Sequence, residues 1–572
     1  MPTSSRTVAQ KVASALARHG VEIIFAQSLP SAVILAAEAL GIRQIAYRQE
    51  NMGGAMADGY ARRSNRIAVV AAQNGPAATL LVPPLAEALK VSIPIVALVQ
   101  EVERPQFDRN AFQELDHLSL FQSCSKWVRR LVTADRVDDY VDAAFVAAGS
   151  GRPGPAVLLL PADLLREAAA ESPFVRRTRY MHWPIDRFRP GDAAIDAAAD
   201  LIAQARAPIV FAGGGVLSSG AAPTLARIQE EAHLPVVTTQ MGKGAVDENH
   251  PLSAGVLSAL TGARSLGRHT KLLVAEADLV LLLGTRTNQN GTDTWRSIPA
   301  SARIIHVDVD PGEVGRNYEA VRLVGDLQET LEALHAALSR RDLSKRQSQR
   351  QELTARIAAA KDNFASERQA YVNSDASPIR PERIMRDLDR FVTADTTVVA
   401  DASYASMWVA GELTARKPGS RFLSPRGLAG LGWGLPLAIG AKLAAPSSRV
   451  VAVVGDGGFA HSWAELETLV RHKIALTVIV LNNGVLGFQK DAERVKFGAH
   501  TSACHFAPVD HAAIARACGC KAVRVEAVSA LAPTLGEALG STQPWLIDVV
   551  TDPDAYPPLS LFDTKQPQTQ SA

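Results

Sequence analysis

A carboxylate and an amide follow two apolar stretches of this sequence, at points where a magnesium ion could be held. Asp456 comes just after the apolar run 450–454, and Asn483 follows a second run at 475–481. A helical pattern at 462–472 lies between the runs, which predicts a βαβ unit. Both strands of such a unit end at one edge of a parallel sheet, where ligands of open α/β sheets bind. Carboxylate, amide and nearby backbone carbonyl oxygens are a partial ligand set for Mg²⁺ that keeps its other positions for phosphate and water.

Three glycines surround Asp456. Gly455, Gly457 and Gly458 would let the backbone approach a phosphate closely and would supply N–H donors. The alternative is an ordinary tight turn followed by an Asn-Gly turn, because Gly-Asp-Gly alone is common in loops. The strand context and the paired asparagine favour the phosphate and metal site.

Glu50 is a second carboxylate in a position to do chemistry. It follows a short apolar strand predicted at 44–47 and precedes a helix predicted at 51–63, which contains Gly53, Gly54 and Gly59. Each glycine costs a helix about 1 kcal/mol relative to alanine, so their presence indicates close packing or close approach to a ligand. Alternatively, Glu50 only complements the dipole of the helix that it precedes.

The Gly-Asp-Gly motif, followed at this spacing by Asn-Asn, resembles the diphosphate-binding signature of thiamine diphosphate (ThDP) enzymes. The resemblance runs through nearly the whole chain and is to the acetolactate synthase and pyruvate oxidase branch. It implies that Asp456, Asn483 and the backbone of Val485 bind Mg²⁺.

The segment 53–62 (GGAMADGYAR) is similar to the one after the activating glutamate, which implies that Glu50 hydrogen-bonds the aminopyrimidine ring of a cofactor held mainly by a partner subunit. A homodimer or homotetramer with active sites at the subunit interface is therefore expected. The cofactor-binding residues that the resemblance implies are Gln73, Asn74, Gly75, Ser403, Tyr404, Gly430, Leu431, Gly455, Asp456, Gly457, Gly458, Asn483, Val485 and Gly487.

The resemblance also implies residues on the substrate side. Ala-Phe-Gln-Glu at 111–114 is similar to a segment of acetolactate synthases whose Phe and Gln line the substrate site, and Lys126 matches a lysine further on. Leu431 matches the apolar residue that wedges between the two cofactor rings. Catalytic roles are thus expected for Glu50, Phe112, Gln113, Lys126 and Leu431. The alternatives are that Phe112 is a core residue, Gln113 a solvated helix start and Lys126 a surface charge.

Two segments depart from the acetolactate synthase pattern. Gln73 and Asn74 stand in a loop that usually reads Ser-Gly-Pro-Gly, which indicates a different substrate pocket. The glycine cluster with Gly213 and Gly214, together with Arg286, resembles the FAD contacts of this branch. The segment 288–293 nevertheless replaces the usual Asp-Asp-Arg-Val-Thr-Gly, so the sequence leaves FAD binding undecided.

Length and composition limit the remaining possibilities. A chain of 572 residues is too long for one core, and we expect three α/β domains, each a doubly wound parallel sheet. The resemblance assigns a pyrimidine-binding domain to 1–170, a central domain to 190–340 and a diphosphate-binding domain to 380–555. A net charge of +2 without a long basic run gives no reason to expect nucleic acid. The four cysteines fit neither a disulfide framework nor a metal-ligand pattern, and without a signal core or a membrane-length apolar span we expect a cytoplasmic protein with no membrane partner.

The function expected from the resemblance is decarboxylation of a 2-keto acid, with pyruvate as the first choice of substrate. The two-carbon unit would be transferred to a carbonyl acceptor. Alternatives are a pyruvate oxidase-like enzyme or another ThDP carboligase, lyase or decarboxylase with a different donor. A non-catalytic scaffold with the same fold is a third reading. The presence of Glu50, Asp456 and Asn483 argues against the scaffold.

Overall fold

The computed structural model describes residues 6–169 and 174–563. Three six-stranded parallel sheets follow one another along the described chain, with helices between the strands. The α/β architecture of three parallel sheets predicted from the sequence is confirmed. The predicted end of the first domain, residue 170, lies outside the described ranges.

The first sheet and its helices lie within residues 6–169. Its strands are β1 (Ile23–Ala26), β2 (Arg43–Ile45), β3 (Ala68–Ala72), β4 (Ile95–Glu101), β5 (Trp127–Arg130) and β6 (Ala156–Pro161), in the order β2-β1-β3-β4-β6-β5. Its helices are α1 (Val8–His19), α2 (Ser31–Ala39), α3 (Glu50–Ser64), α4 (Pro76–Leu80), α5 (Val82–Val91), α6 (His117–Gln122) and α7 (Val137–Gly149).

The second sheet is followed in the chain by a long helix. Its strands are β7 (Pro208–Ala212), β8 (Val236–Thr238), β9 (Ser253–Val256), β10 (Leu279–Leu283), β11 (Arg303–Asp308) and β12 (Val321–Val324), in the order β12-β11-β10-β7-β8-β9. Its helices are α8 (Asp192–Gln204), α9 (Gly215–Ser218), α10 (Ala222–Glu231), α11 (Leu266–Ala275) and α12 (Leu327–Leu338), and they are followed by α13 (Ser344–Val372).

The third sheet contains the predicted βαβ unit. Its strands are β13 (Thr397–Ala400), β14 (Arg421–Leu423), β15 (Val450–Gly455), β16 (Thr477–Asn482), β17 (Lys521–Val525) and β18 (Trp545–Val550), in the order β14-β13-β15-β16-β18-β17. Its helices are α14 (Pro381–Asp389), α15 (Tyr404–Glu412), α16 (Gly434–Ala444), α17 (Asp456–Phe459), α18 (Glu465–Arg471), α19 (Gly487–Phe497), α20 (His511–Ala517) and α21 (Val528–Leu539). Strands β15 and β16 are parallel neighbours, as predicted.

Unbroken apolar strands explain this architecture. Every residue of β10 is buried, and its alternate residues belong to two different cores: Leu279, Leu281 and Leu283 pack on one side, Val280 and Leu282 on the other. A strand that is buried on both faces reads as a continuous apolar run, which is typical of a parallel sheet covered by helices. Among the described residues, no helix combines the length and the apolar content needed to cross a membrane.

Glycines bring a helix of the first sheet close to a helix of the third. A Cβ atom on Gly59 of α3 would lie 2.1 Å from the backbone oxygen of Leu437 in α16, and one on Gly440 of α16 would lie 1.9 Å from that of Met56. Gly53 and Gly54 are equally constrained, because added Cβ atoms would lie 2.2 Å from the ring of Tyr47 and 2.5 Å from that of Pro84. The glycines of α3 therefore allow close packing. This was one of the two explanations proposed from the sequence for glycines inside a helix.

Candidate active site

The predicted cofactor residues of the third sheet line one cleft. The cleft lies at the carboxyl ends of β13, β15 and β16, the edge where open α/β sheets bind ligands. Gly430 is the exception: it does not line the cleft, and a Cβ added to it would face the ring of Trp433. The predicted residues that line the cleft are Ser403, Tyr404, Leu431, Gly455, Asp456, Gly457, Gly458, Asn483, Val485 and Gly487.

Asp456 and Asn483 lie in adjacent loops that are hydrogen-bonded to each other. The Oδ2 atom of Asp456 accepts the backbone N–H of Gly484 at 2.7 Å, and the Oδ1 atom of Asn483 accepts that of Val485 at 3.2 Å. The Asp456 side chain is only 6% exposed, and burial raises its pKa to about 6. A bound cation would reverse this effect by stabilising the carboxylate.

The donor set fits a magnesium ion whose other ligands are oxygens of a diphosphate and of water. It offers one carboxylate and one amide oxygen, and the described residues contain no cluster of three or more acidic, histidine or cysteine side chains that could hold a metal alone. A cation here would need further oxygen ligands from phosphate and water, an arrangement that Mg²⁺ prefers. The residues present are therefore compatible with both Mg²⁺ and ThDP.

Asp401 fixes the loop that carries Leu431, a role that sequence reasoning missed. Its buried carboxylate accepts the backbone N–H groups of Gly432 and Trp433 at 3.0 Å and of Gly434 at 3.2 Å. Burial raises the pKa of Asp401, although these hydrogen bonds favour its charged form. A Cβ on Gly458 would lie 2.1 Å from Oδ2 of Asp401, so this glycine lets the Asp456 loop pack against the Asp401 carboxylate. The available signal was a carboxylate directly after β13, two residues before Ser403.

Backbone strain is present at three predicted positions or beside them. Gln113, Ser403 and Ala429 adopt φ angles of +63°, +65° and +60°, which non-glycine residues rarely adopt. Such residues cost on the order of 1–3 kcal/mol each and cluster at functional sites. Ser403 is the N-cap of α15, whose first residue, Tyr404, donates a 2.6 Å hydrogen bond to Asp491 and lies against Gly487.

Glu50 is the first residue of α3, and the chain before it is held by Glu465 of α18. The Oε1 atom of Glu465 accepts the backbone N–H of Arg48 at 3.0 Å and of Gln49 at 3.2 Å. Glu465 is 1% exposed, and burial raises its pKa. Glu50 itself is half-buried and does not line the Asp456 cleft. Within one chain, the two predicted halves of the cofactor site are thus separate.

One predicted substrate-side residue, Gln113, lies at the carboxyl edge of the first sheet beside the predicted cofactor-binding residues Gln73, Asn74 and Gly75. The Nε2 group of Gln73 donates to Oε1 of Gln113 at 2.5 Å, and the Nδ2 group of Asn74 donates to the backbone oxygen of Gln113 at 3.0 Å. Gly75 packs directly on Gln113, since an added Cβ would lie 2.8 Å from the Gln113 Cβ. The side chain of Phe112 is 86% exposed, which excludes the alternative that it is a core residue of this chain.

Lys126 does not join this group within the chain. It precedes β5 and therefore lies at the amino end of the sheet, whereas Gln113 contacts the loop after the carboxyl end of β3. Its Nζ donates to the backbone oxygen of Ser150 at 2.9 Å, and burial, together with the charge of Arg152, lowers its pKa to about 8.

A cationic cleft lies in front of the second sheet. Gly214 and Arg286 line it, together with Arg152, Arg421 and Arg426 from elements outside this sheet. Burial lowers the pKa of Arg286 and of Arg426, as expected where neighbouring charges do not fully compensate a guanidinium. Gly213 does not line this cleft and instead allows contact with the next loop, because its Cβ would lie 2.3 Å from the backbone oxygen of Gly284.

Comparison with known proteins assigns the class. Three family descriptions match in order: the N-terminal TPP binding domain of thiamine pyrophosphate enzymes over residues 6–120, their central domain over 195–334 and their C-terminal TPP binding domain over 401–549. The chain belongs to the thiamine pyrophosphate enzyme family and has both of its cofactor-binding domains.

Relatives that are similar over nearly the full length narrow this class. The chain is 32% identical to a probable acetolactate synthase large subunit of Methanococcus aeolicus, over 96% of this chain and 92% of the relative. It is also 32% identical to the protein of the same name from Methanocaldococcus jannaschii, over 95% and 92%. It is 29% identical to the acetolactate synthase isozyme 2 large subunit of Escherichia coli, over 95% of both chains.

Proposed function

We propose that this enzyme decarboxylates a 2-keto acid, pyruvate in the first instance, and transfers the two-carbon unit to a second carbonyl compound, as an acetolactate synthase does. The observation that carries the proposal is the cleft in which Asp456 and Asn483 meet at the sheet edge. Full-length similarity to acetolactate synthase large subunits supports the choice of reaction. One C–C bond breaks, CO₂ leaves and one C–C bond forms, so the net reaction needs no oxidant or reductant.

The chain's own residues divide the work of binding and orientation. Asp456, Asn483 and the backbone carbonyl of Val485 would hold Mg²⁺, and the backbone N–H groups of the glycine loop would face the diphosphate. Bound thiamine diphosphate supplies the carbon nucleophile and the electron sink. Leu431, on the loop fixed by Asp401, would pack against the two rings of the cofactor.

Glu50 would hydrogen-bond a ring nitrogen of the aminopyrimidine and share a proton with it. Its position at the start of α3, with the preceding backbone fixed by Glu465, supports a defined orientation for this carboxylate. Gln113, hydrogen-bonded to Gln73, and the exposed Phe112 would contact the keto acid and exclude water from it. The assignment of Lys126 to the same site stays a prediction, because within one chain it lies at the opposite end of the sheet.

The active site would form between two subunits of a homodimer, or of a homotetramer built from such dimers. In support, Glu50 and Gln113 lie outside the Asp456 cleft of their own chain, and Phe112 is exposed to solvent in the single chain. A second copy would bring the pyrimidine-binding half of one chain to the diphosphate-binding half of the other. The domain bounds 1–170, 190–340 and 380–555 and a cytoplasmic location remain part of this proposal.

The cleft in front of the second sheet is proposed to bind FAD. Its half-buried arginines, Arg286 and Arg426, suit the phosphates of a dinucleotide, and Gly214 lines the same cleft. An absorbance spectrum of the purified protein tests this directly. A flavin band that is lost after Arg286→Ala would support the assignment, whereas a protein that neither carries nor takes up flavin would contradict it.

The activity is tested by supplying pyruvate, ThDP and Mg²⁺ to the wild type and to Glu50→Gln. We expect acetolactate from the wild type, and a loss of turnover on the order of 10²-fold or more in the variant, because proton transfer by a positioned group contributes this much. ThDP binding, followed by fluorescence, should persist in the variant. Glu38→Gln, a change to an exposed glutamate on α2, is the matched control. No pyruvate consumption by the wild type would refute the proposed reaction, and full activity of Glu50→Gln would refute the role of Glu50.

A further inference from the structure

A buried histidine lies behind the loop that carries Gln73, Asn74 and Gly75. The Nε2 atom of His117, the first residue of α6, accepts the backbone N–H of Gly75 at 3.0 Å. Its Nδ1 atom lies 3.4 Å from Oε1 of Glu101, the last residue of β4. Glu101 in turn accepts two hydrogen bonds from Arg130, at 2.5 and 2.8 Å. His117 is 1% exposed and Glu101 is 2% exposed, so water does not compete for these contacts.

The hydrogen-bond partners define the tautomer of His117. A ring nitrogen that accepts a backbone N–H carries no proton, so the proton of the neutral ring lies on Nδ1 and faces Glu101. Burial alone would raise the pKa of Glu101, but the hydrogen bonds from Arg130 and His117 outweigh burial, and the pKa is lower than usual. A charged Glu101 therefore orients the imidazole, and the imidazole presents an acceptor to Gly75.

The Gly75 loop lies between His117 and Gln113, and Gly75 is the N-cap of α4. Gly75 adopts φ +62° and ψ −116°, a conformation open mainly to glycine, and it packs on Gln113, which is itself at φ +63°. Asn74 donates to the backbone of Gln113, and Gln73 donates to its side chain. The position of the Gln113 amide thus depends on a loop whose Gly75 N–H is held by His117.

We propose that His117 is a positioning residue for the substrate side of the active site: oriented by Glu101, it holds the Gly75 loop and so sets the position of Gln73 and Gln113. This proposal rests on the proposed function for its kinetic consequence. Its structural part, the immobilisation of the Gly75 loop, stands independently of the substrate. Arg130 belongs to the same unit, because it fixes the charge of Glu101.

Two variants separate this role from a general contribution to stability. His117→Phe keeps a buried ring but removes the acceptor, whereas His117→Gln keeps a group that can accept from Gly75 and donate to Glu101. The matched control is His19→Phe. His19 is equally buried, with Nε2 2.9 Å from Asp142 and Nδ1 accepting the backbone N–H of Tyr180 at 3.2 Å, but it lies at the end of α1, away from the predicted site.

Amide hydrogen exchange and steady-state kinetics are the two measurements. In His117→Phe we expect faster exchange confined to 73–80 and 111–116, and a rise in the KM for pyruvate on the order of 10- to 100-fold, as expected when substrate-contacting groups are displaced. His117→Gln should restore most of both properties. His19→Phe should leave the KM and the exchange of these segments unchanged, although it should lose as much thermal stability as His117→Phe.

Unchanged exchange at 73–80 in a folded His117→Phe variant would overturn the proposal, as would an equal rise of the KM in His19→Phe. If His117→Phe does not fold, His117→Gln decides, because near wild-type exchange and KM are required of it. A wild type that is inactive with pyruvate would refute the proposed reaction instead. The exchange comparison would then still decide whether His117 holds the loop.

Discussion

The contact between α3 and α16 predicts that glycine-to-alanine substitution lowers the free energy of unfolding inside the contact. The same substitution in a helix outside the contact should raise it. In Gly59→Ala the new Cβ would lie 2.1 Å from the backbone oxygen of Leu437. In Gly536→Ala, inside α21, the nearest neighbour would be a ring carbon of Phe391 at 3.7 Å, an ordinary contact. Both positions are in helices, so the intrinsic preference of a helix for alanine is the same at each and only the surroundings differ.

The expected free energies follow from these distances. Alanine stabilises a helix interior by about 1 kcal/mol relative to glycine. Overpacking costs about 1–3 kcal/mol, and a clash with backbone belongs at the upper end because no side chain can rotate away. Gly59→Ala should therefore lower the free energy of unfolding by about 2 kcal/mol, whereas Gly536→Ala should raise it by about 0.5–1 kcal/mol.

Urea denaturation followed by tryptophan fluorescence measures both changes in the first unfolding transition. Turnover should fall in Gly59→Ala as well, because α3 begins at Glu50 and α16 follows the loop with Leu431. Gly536→Ala should retain turnover. If Gly59→Ala were as stable as the wild type, or if both variants shifted in the same direction, the argument that backbone contact between α3 and α16 fixes the glycine would be wrong.

Two further predictions concern buried carboxyl groups. Asp456→Asn should abolish Mg²⁺-dependent binding of ThDP, measured by fluorescence titration, since the cleft would lose its charged oxygen ligand; wild-type affinity would contradict the metal role of Asp456. Burial, the largest effect, raises the pKa of Glu412 from 4.5 to about 7 despite its contact with Arg368. The unfolded chain therefore loses this proton near pH 4.5 while the folded chain keeps it. Stability should fall as pH rises from about 4.5 to 7, by at most ~3.4 kcal/mol. Glu412→Gln should remove that part of the slope in denaturation at pH 5 and pH 7.5, and an unchanged slope would contradict the assigned cause.

The sequence predicts the fold because parallel strands have a local signature. The apolar run of β15 is interrupted at Gly455 and that of β16 ends at Asn482, so the strand ends, and with them Asp456 and Asn483, can be placed without knowing any long-range contact. The helices are predicted less exactly: the pattern at 462–472 yields only α18, because the chain first turns at 460–464. Lys126 shows how sequence distance misleads. It follows Gln113 by 13 positions, but the chain returns through α6 to the amino end of β5 and carries Lys126 to the far side of the sheet.

What the sequence does not predict is the set of buried acceptors behind the site. Asp401 holds the loop of Leu431, Glu465 holds the backbone before Glu50, and His117 holds the loop of Gln73. Each is a single polar residue with no motif of its own, and its partner is at least 31 positions away in the chain. The shared physical reason is that irregular loops cannot satisfy their own buried N–H groups, and an unsatisfied buried donor costs about 1–3 kcal/mol. Side chains that would touch cofactor or substrate can then remain partly exposed on these loops, while their positions are determined by buried groups that touch neither.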